Sequence, residues 1–290
     1  MDATALLLLL VKISLITLMV GLGLGLQMDA LTLLRHRPWL ILRIAIGTCV
    51  LVPLVALVLL QLPISVQMPP GARFGIALMA LSPSAPLTLR KAHLQGGDPH
   101  LAALLQVSAA LVAIVSIPLL TDVFRGVFQV EGWDIEAKQV AFQVAVVQVI
   151  PLGMGLVLRR LFPWLGSWAP GIQKVAFLAN LLALGVILFK VFPQLLSFAG
   201  GNWLALLAMG VMTAAALAIG YALGGGGRQE RITTALVTSM RNPGLALLFA
   251  LTYGENVVGV KLAIVTYLLV TILGSIPVLR WWQAGAYSRR

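Results

Sequence analysis

Leu236-Val237-Thr238-Ser239-Met240-Arg241-Asn242-Pro243-Gly244-Leu245 interrupts one long apolar run of this chain. Ala80-Leu81-Ser82-Pro83-Ser84-Ala85-Pro86-Leu87-Thr88-Leu89-Arg90-Lys91 interrupts another. Both breaks place proline among serine, threonine or asparagine in the middle of segments otherwise apolar enough for hydrocarbon. A backbone in lipid must satisfy its own N–H and C=O groups, so an unwound stretch survives at membrane depth only where protein or a water-filled cavity supplies partners. Two such breaks, one in each half of a chain, are the sequence mark of a transport site built from discontinuous helices.

The remaining composition fits a membrane. The chain is 60% hydrophobic and 10% charged, with a mean hydropathy of +1.01, against roughly 25% charged in a soluble domain. Apolar windows of about 20 residues recur throughout, the length a helix needs to cross a hydrocarbon core of about 30 Å. The 290 residues are therefore expected to form a single transmembrane unit. Met1-Asp2-Ala3-Thr4 offers no basic region, and the apolar run behind it continues to Leu26, so a first spanning helix is expected there in place of a cleaved signal. The single cysteine, Cys49, excludes an internal disulfide. A net charge of +11 would suggest nucleic acid in a soluble protein. Here it reads as a topology signal, and no nucleic-acid partner is expected.

Nine spans are predicted, at about residues 4–26, 39–61, 73–94, 100–120, 138–160, 172–192, 203–223, 231–252 and 260–280. Turn residues separate them, among them Arg37-Pro38, Pro69-Pro70-Gly71, Gly96-Gly97-Asp98-Pro99, Gly200-Gly201-Asn202 and the run Gly224 to Gly227. Alternate connections carry Arg35, Arg37, Arg90, Lys91, Arg159, Arg160, Lys174, Arg228 and Arg231, and the tail carries Arg280, Arg289 and Arg290. The opposite set carries fewer basic residues and most of the acidic ones. The positive-inside rule then places the C-terminus in the cytoplasm and the N-terminus outside, consistent with an odd number of spans. A bacterial inner membrane is the expected location.

With the fifth span set aside as a linking helix (about 138–160), the others fall into two sets of four, about 4–120 and about 172–280. The third member of each set is the broken one. An offset of five spans inserts the second set upside down, giving the inverted repeat of secondary transporters.

Several stretches carry a family resemblance. Gly21-Leu22-Gly23-Leu24-Gly25-Leu26-Gln27-Met28-Asp29, the Ser82-Pro83-Ser84-Ala85 break with Gly96-Gly97-Asp98 and Ile117-Pro118-Leu119-Leu120 behind it, and Met240-Arg241-Asn242-Pro243-Gly244-Leu245-Ala246 resemble motifs of the bile acid:sodium symporter family. The most specific is the Asn-x-Gly-Leu of the second break. The resemblance implies an all-α polytopic protein with a panel domain and a core domain, the core holding two crossing broken helices. It also implies a cargo of bile acids or smaller organic anions, usually moved with sodium. The departures are as informative as the match. The family's sodium-ligating acid falls at Val237, its neighbouring amide at Arg241, and its Ser-Asn pair near Thr88 and Leu89. A guanidinium in place of a ligand removes at least one cation site, and an intramembrane cation without an acid beside it is costly by a few kcal/mol.

Candidate substrate-binding residues follow: Arg241 and Asn242, with Ser82, Ser84 and Thr88 on the first break and Thr238 and Ser239 on the second. Arg241 could act as a fixed charge in place of sodium or bind a carboxylate directly through its fork. Against these stands a purely structural role, in which it snorkels or pairs with crossing-helix carbonyls. The hydroxyls could equally just satisfy freed backbone. Thr88, Thr238 and Asn242 are candidates for a residual sodium site, sodium being the only ion expected and no cofactor being implied. Arg90 and Lys91 read as membrane-surface anchors, Lys12 as a snorkelling lysine, and Asn180 and Gln148 as interhelical glue. Gly21 and Gly25, four residues apart, read as a close-packing face, since no strand precedes them to make a dinucleotide loop. His36, His93 and His100 show no metal-ligand spacing, and no nucleophile or carboxylate pair suggests an enzyme. The sequence thus points to a secondary transporter of an organic anion, bile-acid-like or a small monocarboxylate, working by alternating access. Sodium-coupled symport is the nearest alternative, and a channel or non-transporting receptor the alternative from another class.

Overall fold

A computed structural model describes residues 3–26, 36–83, 87–127, 136–254 and 257–284. The described residues form helices α1 (Ala3–Gly25), α2 (Pro38–Gln61), α3 (Pro70–Leu81), α4 (Leu87–Leu94), α5 (Pro99–Val127), α6 (Ala137–Leu161), α7 (Ala169–Gly201), α8 (Trp203–Leu223), α9 (Arg228–Ser239), α10 (Pro243–Tyr253) and α11 (Val260–Ala284). Four of them, α2, α3, α5 and α10, begin on proline, which is pre-set for helix and lacks only an N–H that would have had no intrahelical partner.

Among the described residues, seven helices are long and apolar enough to cross a membrane: α1, α2, α5, α6, α7, α8 and α11. The other predicted crossings are each made by two short helices. α3 has 12 residues and α4 has 8, while α9 has 12 and α10 has 11. At 1.5 Å per residue each reaches at most about 18 Å, roughly half a bilayer. Each pair must therefore meet end to end near mid-depth, where the prolines are.

Packing divides the helices into two bundles. α1 lies along α6 and α7, while α8 packs on α9 and α11, and α11 on α3. The bundles touch chiefly through α5 against α6, α1 against α10 and α7 against α11. α7 is the barest element, with Phe189 and Leu196 84% and 74% exposed, an apolar surface suited to lipid. Trp39, Trp164, Trp168 and Trp281 are exposed at the helix ends that carry the arginines, the level at which amphipathic rings favour a membrane interface.

The predicted glycine face in α1 is present and extends further than expected. Gly21 and Gly25 lie against Gln173 of α7, whose Nε2 donates to the Gly21 carbonyl at 2.7 Å. Gly23 faces the other way, onto α6. A methyl group there would sit 2.4 Å from the Leu152 carbonyl oxygen, and one at Gly155 would sit 2.3 Å from that of Val20.

In the first turn of α9, the Glu230 carboxylate accepts from the N–H groups of Gly225 and Gly226 and from the Arg37 guanidinium. Burial alone would raise this carboxyl, but the Gly226 N–H, Arg37 and the Gly225 N–H outweigh it and hold the group below the ordinary carboxylate range. Glu230 precedes the predicted span, so acid reaches it from water. A depressed carboxylate contributes stability above its unfolded pKa of about 4.3, and that contribution is lost as pH falls through the lower folded value. Melting curves in detergent should therefore separate wild type from Glu230→Gln at pH 7 and draw together as pH falls below about 4.3. A separation that stays constant across the acid range would assign the difference to packing instead.

Candidate functional site

The two breaks touch. The Asn242 N–H donates to the Ser82 carbonyl at 3.0 Å, joining the unwound residue of one broken helix to that of the other. Asn242 also caps α10, its Oδ1 accepting from the Leu245 N–H at 3.1 Å while its carbonyl accepts from the Ala246 N–H at 3.1 Å. Pro243 has no N–H. Gly244 is then the first-turn donor left for a partner outside the helix, at the positive end of the α10 dipole. Across the bundle boundary, Asn180 of α7 closes over this turn. A methyl at Gly244 would lie 2.9 Å from Asn180 Oδ1 and 3.0 Å from its Nδ2.

Arg241 occupies the crossing itself and is 1% exposed. Its Nε donates to the Met79 carbonyl at 3.1 Å and its Nη2 to that of Ala80. Its Nη1 donates to Thr48 at 2.9 Å and to Thr238 at 3.4 Å. Four of the five N–H groups thus meet four backbone carbonyls, and no carboxylate is among these partners. Three of the carbonyls sit at the C-terminal ends of α3 and α9, where helix dipoles concentrate negative potential. The fourth is supplied by an irregularity. α2 widens to i→i+5 bonding over Gly47–Leu51, and such a turn frees a carbonyl that a regular helix would keep for itself.

The predicted hydroxyls are mostly engaged. Ser82 Oγ donates to the Leu78 carbonyl at 2.8 Å and Ser239 Oγ to Leu236 at 3.4 Å, each closing the frayed end of its own half-helix. Thr238 Oγ1 pairs with Thr48 Oγ1 at 3.2 Å. Thr88, at the start of α4, differs: its hydroxyl is fully buried and has no hydrogen-bond partner. Ser84 lies outside the described residues. Lys91, expected at the membrane surface, instead donates to Ser275 Oγ of α11 at 2.7 Å. A part-buried hydroxyl is within reach of the long stem, and α4 leans on the core.

Sequence reasoning missed Thr48, because its carbonyl and not its side chain holds Arg241, and any residue has a carbonyl. It also missed Gln143, whose Nε2 donates to Thr252 Oγ1 of α10 at 3.3 Å. Three glutamines in this region, Gln106, Gln143 and Gln148, are buried and keep one amide atom without a partner.

Residues 12–198 match the model of the sodium bile acid symporter family, a range that takes in the first break, α5 and α6 and ends before the second break. No curated protein matches the chain. A polytopic helical fold, broken helices that cross, and a family match over more than half of the length agree. The chain belongs to the sodium bile acid symporter family of membrane transporters.

Proposed function

We propose that this protein is a secondary transporter of organic anions in which Arg241 takes the place of a sodium ion. The observation that carries the reading is the guanidinium seated among carbonyls at two helix C-termini. Unwound carbonyls and half-helix C-terminal ends are where transporters of this architecture hold sodium. A tethered cation there meets the same negative potential and satisfies the same oxygens. It also leaves the crossing positive on balance, together with the N-terminus of α10, where Asn180 and Asn242 offer amides to a carboxylate. Direct binding of the cargo by the Arg241 fork is disfavoured, because the fork is buried and already engaged. The apolar walls would take the carbon skeleton of a monocarboxylate or a larger amphipathic acid. The charge asymmetry supports a cytoplasmic C-terminus, an external N-terminus and a bacterial inner membrane.

One observation favours sodium-coupled symport instead: the unpartnered Thr88 hydroxyl is an oxygen ligand left open near the first break. One experiment separates the two. Purified protein in proteoliposomes is tested for uptake of radiolabelled acids, from short monocarboxylates to bile acids, with and without an inward sodium gradient. Uptake at equal rates in sodium and in potassium is the expected result. A strict requirement for sodium would sink the substitution, and no uptake of any acid would sink the transport reading.

A further inference from the structure

Lys12 stands near the middle of α1, and the crossing does not use it. α1 runs from Ala3 to Gly25, so Lys12 lies about 3 Å along the axis from Ser14, the centre of its own helix. A second measure agrees. Leu15, one turn further in, packs on the first turn of α10, where a methyl at Gly244 would lie 3.2 Å from its Cδ2. That turn begins at the mid-depth break. The nearer edge of a hydrocarbon core of about 30 Å is then roughly 10 Å further along α1, beyond the span of a four-carbon stem. Lys190 of α7 makes the contrast. It lies about 15 Å along its helix from Asn180, which meets the same turn of α10, and so stands at the interface.

Lys12 belongs to the inward side of α1. Its neighbours at i−4, i+3, i+4 and i+7 are Leu8, Leu15, Ile16 and Met19, and all four pack into apolar clusters. Lys12 itself is partly buried. Among the described residues no hydrogen bond or ion pair reaches its ammonium. The nine acidic residues of the chain all fall outside the described helices except Asp122 and Glu230, each within two turns of a helix end. A cation at membrane depth without an acid is costly, and such residues mark substrate and ion paths. The other cations near the breaks are engaged, Arg241 by four carbonyls and Lys91 by Ser275. Lys12 keeps its donors open. α1 packs on α10, whose N-terminus is itself positive and offers the Gly244 N–H. Two positive features held together across the bundle boundary, with no acid between them, are reconciled by an anion from outside.

We propose that Lys12 is a cargo-binding residue, its ammonium pairing with the carboxylate that the first turn of α10 receives. The inference rests on the transport reading above and names the cation that Arg241, engaged by carbonyls, does not supply. Because Lys12 rides on α1 and the receiving turn on α10, one carboxylate would bridge the two bundles. It is tested with reconstituted wild type, Lys12→Met, Lys12→Arg and Lys190→Met, using radiolabelled hexanoate and cholate over a range of concentrations. Lys12→Met should raise the half-saturating concentration roughly ten- to a hundredfold, the factor of one charge-assisted hydrogen bond, with a smaller change in maximal rate. Lys12→Arg should stay within a few-fold of wild type, and Lys190→Met should match it. Without cargo, Lys12→Met should melt at or above the wild-type temperature, because a charge without an acid has left the membrane interior. Half-saturation unchanged in Lys12→Met, or raised equally in Lys12→Arg, would overturn this inference alone. A lower melting temperature for Lys12→Met would overturn it too, by showing that the fold itself holds the ammonium. Uptake of neither acid by wild type would overturn the transport reading and this inference with it.

Discussion

Arg241→Gln should lose sodium-independent uptake and most of its stability, and should recover part of that stability in sodium. The guanidinium ties three elements together at four carbonyls: Met79 and Ala80 at the end of α3, Thr48 in the widened turn of α2, and Thr238 in the last turn of α9. A glutamine amide has two N–H groups, so at least two of the four carbonyls are left buried and unpaired. At about 1–3 kcal/mol each, that is about 2–6 kcal/mol, a large part of a typical total of about 5–15 kcal/mol. Arg241→Lys should fall between the two proteins, since it keeps the charge but presents three donors from one point. The vacated oxygens are hard ligands, so the melting temperature of Arg241→Gln should rise when sodium replaces choline at constant ionic strength. Wild type should not respond. A glutamine variant as stable as wild type in choline would show that the carbonyls need no cation at all.

The second large effect is expected in the panel. Gly23→Ala or Gly155→Ala should weaken the bundle, and leucine at either position should prevent recovery of monodisperse protein. Each added methyl would fall within 2.4 Å of a carbonyl oxygen on the facing helix, and backbone cannot swing aside as a side chain can. Overpacking of this kind costs about 1–3 kcal/mol for alanine and more for leucine, because α1 is held from the other side by Gln173. Gly153→Ala, on the same helix with open space around it, is the control. It should be neutral or stabilising by up to about 1 kcal/mol, since glycine is a poor helix former. Thermal melts and gel-filtration profiles of the set would decide. Equal behaviour of Gly153→Ala and Gly155→Ala would mean that the close approach of α1 and α6 carries no weight.

Most of the fold was legible in the sequence because the bilayer restricts it so strongly. Hydropathy located the long spans, and Ser82-Pro83 and Asn242-Pro243 located the breaks, where proline follows a polar residue, whereas Pro118, Pro193 and Pro277, each preceded by an apolar residue, stay inside continuous helices. The structural alternative for Arg241, pairing with crossing-helix carbonyls, was visible for the same reason: a buried guanidinium without an acid has few other partners. The widened turns were not visible. Gly47-Thr48-Cys49-Val50-Leu51 and Ala145-Val146-Val147-Gln148-Val149 contain nothing that separates them from ordinary apolar helix. The extra residue at 47–51 becomes meaningful only against a neighbour, the Arg241 guanidinium that the Thr48 carbonyl receives. Lys91 was misplaced because charge at a predicted helix end suggests the surface, whereas its partner Ser275 lies far along the chain.

The tether on Arg241 has an electrical consequence. A sodium ion that crosses with a monoanion cancels its charge and then leaves, so the loaded carrier is indifferent to voltage. A guanidinium bonded to the chain makes every outward and every return stroke with the protein, and its contribution to a full cycle sums to zero. On the proposed reading each cycle therefore moves the bare charge of the cargo. An inside-negative membrane acts on one such charge with about 2.3 kcal/mol per 100 mV, and for an anion it acts in the direction of exit. Where a sodium-driven relative concentrates its substrate inside the cell, this protein would be set by the resting potential to release an organic acid from it.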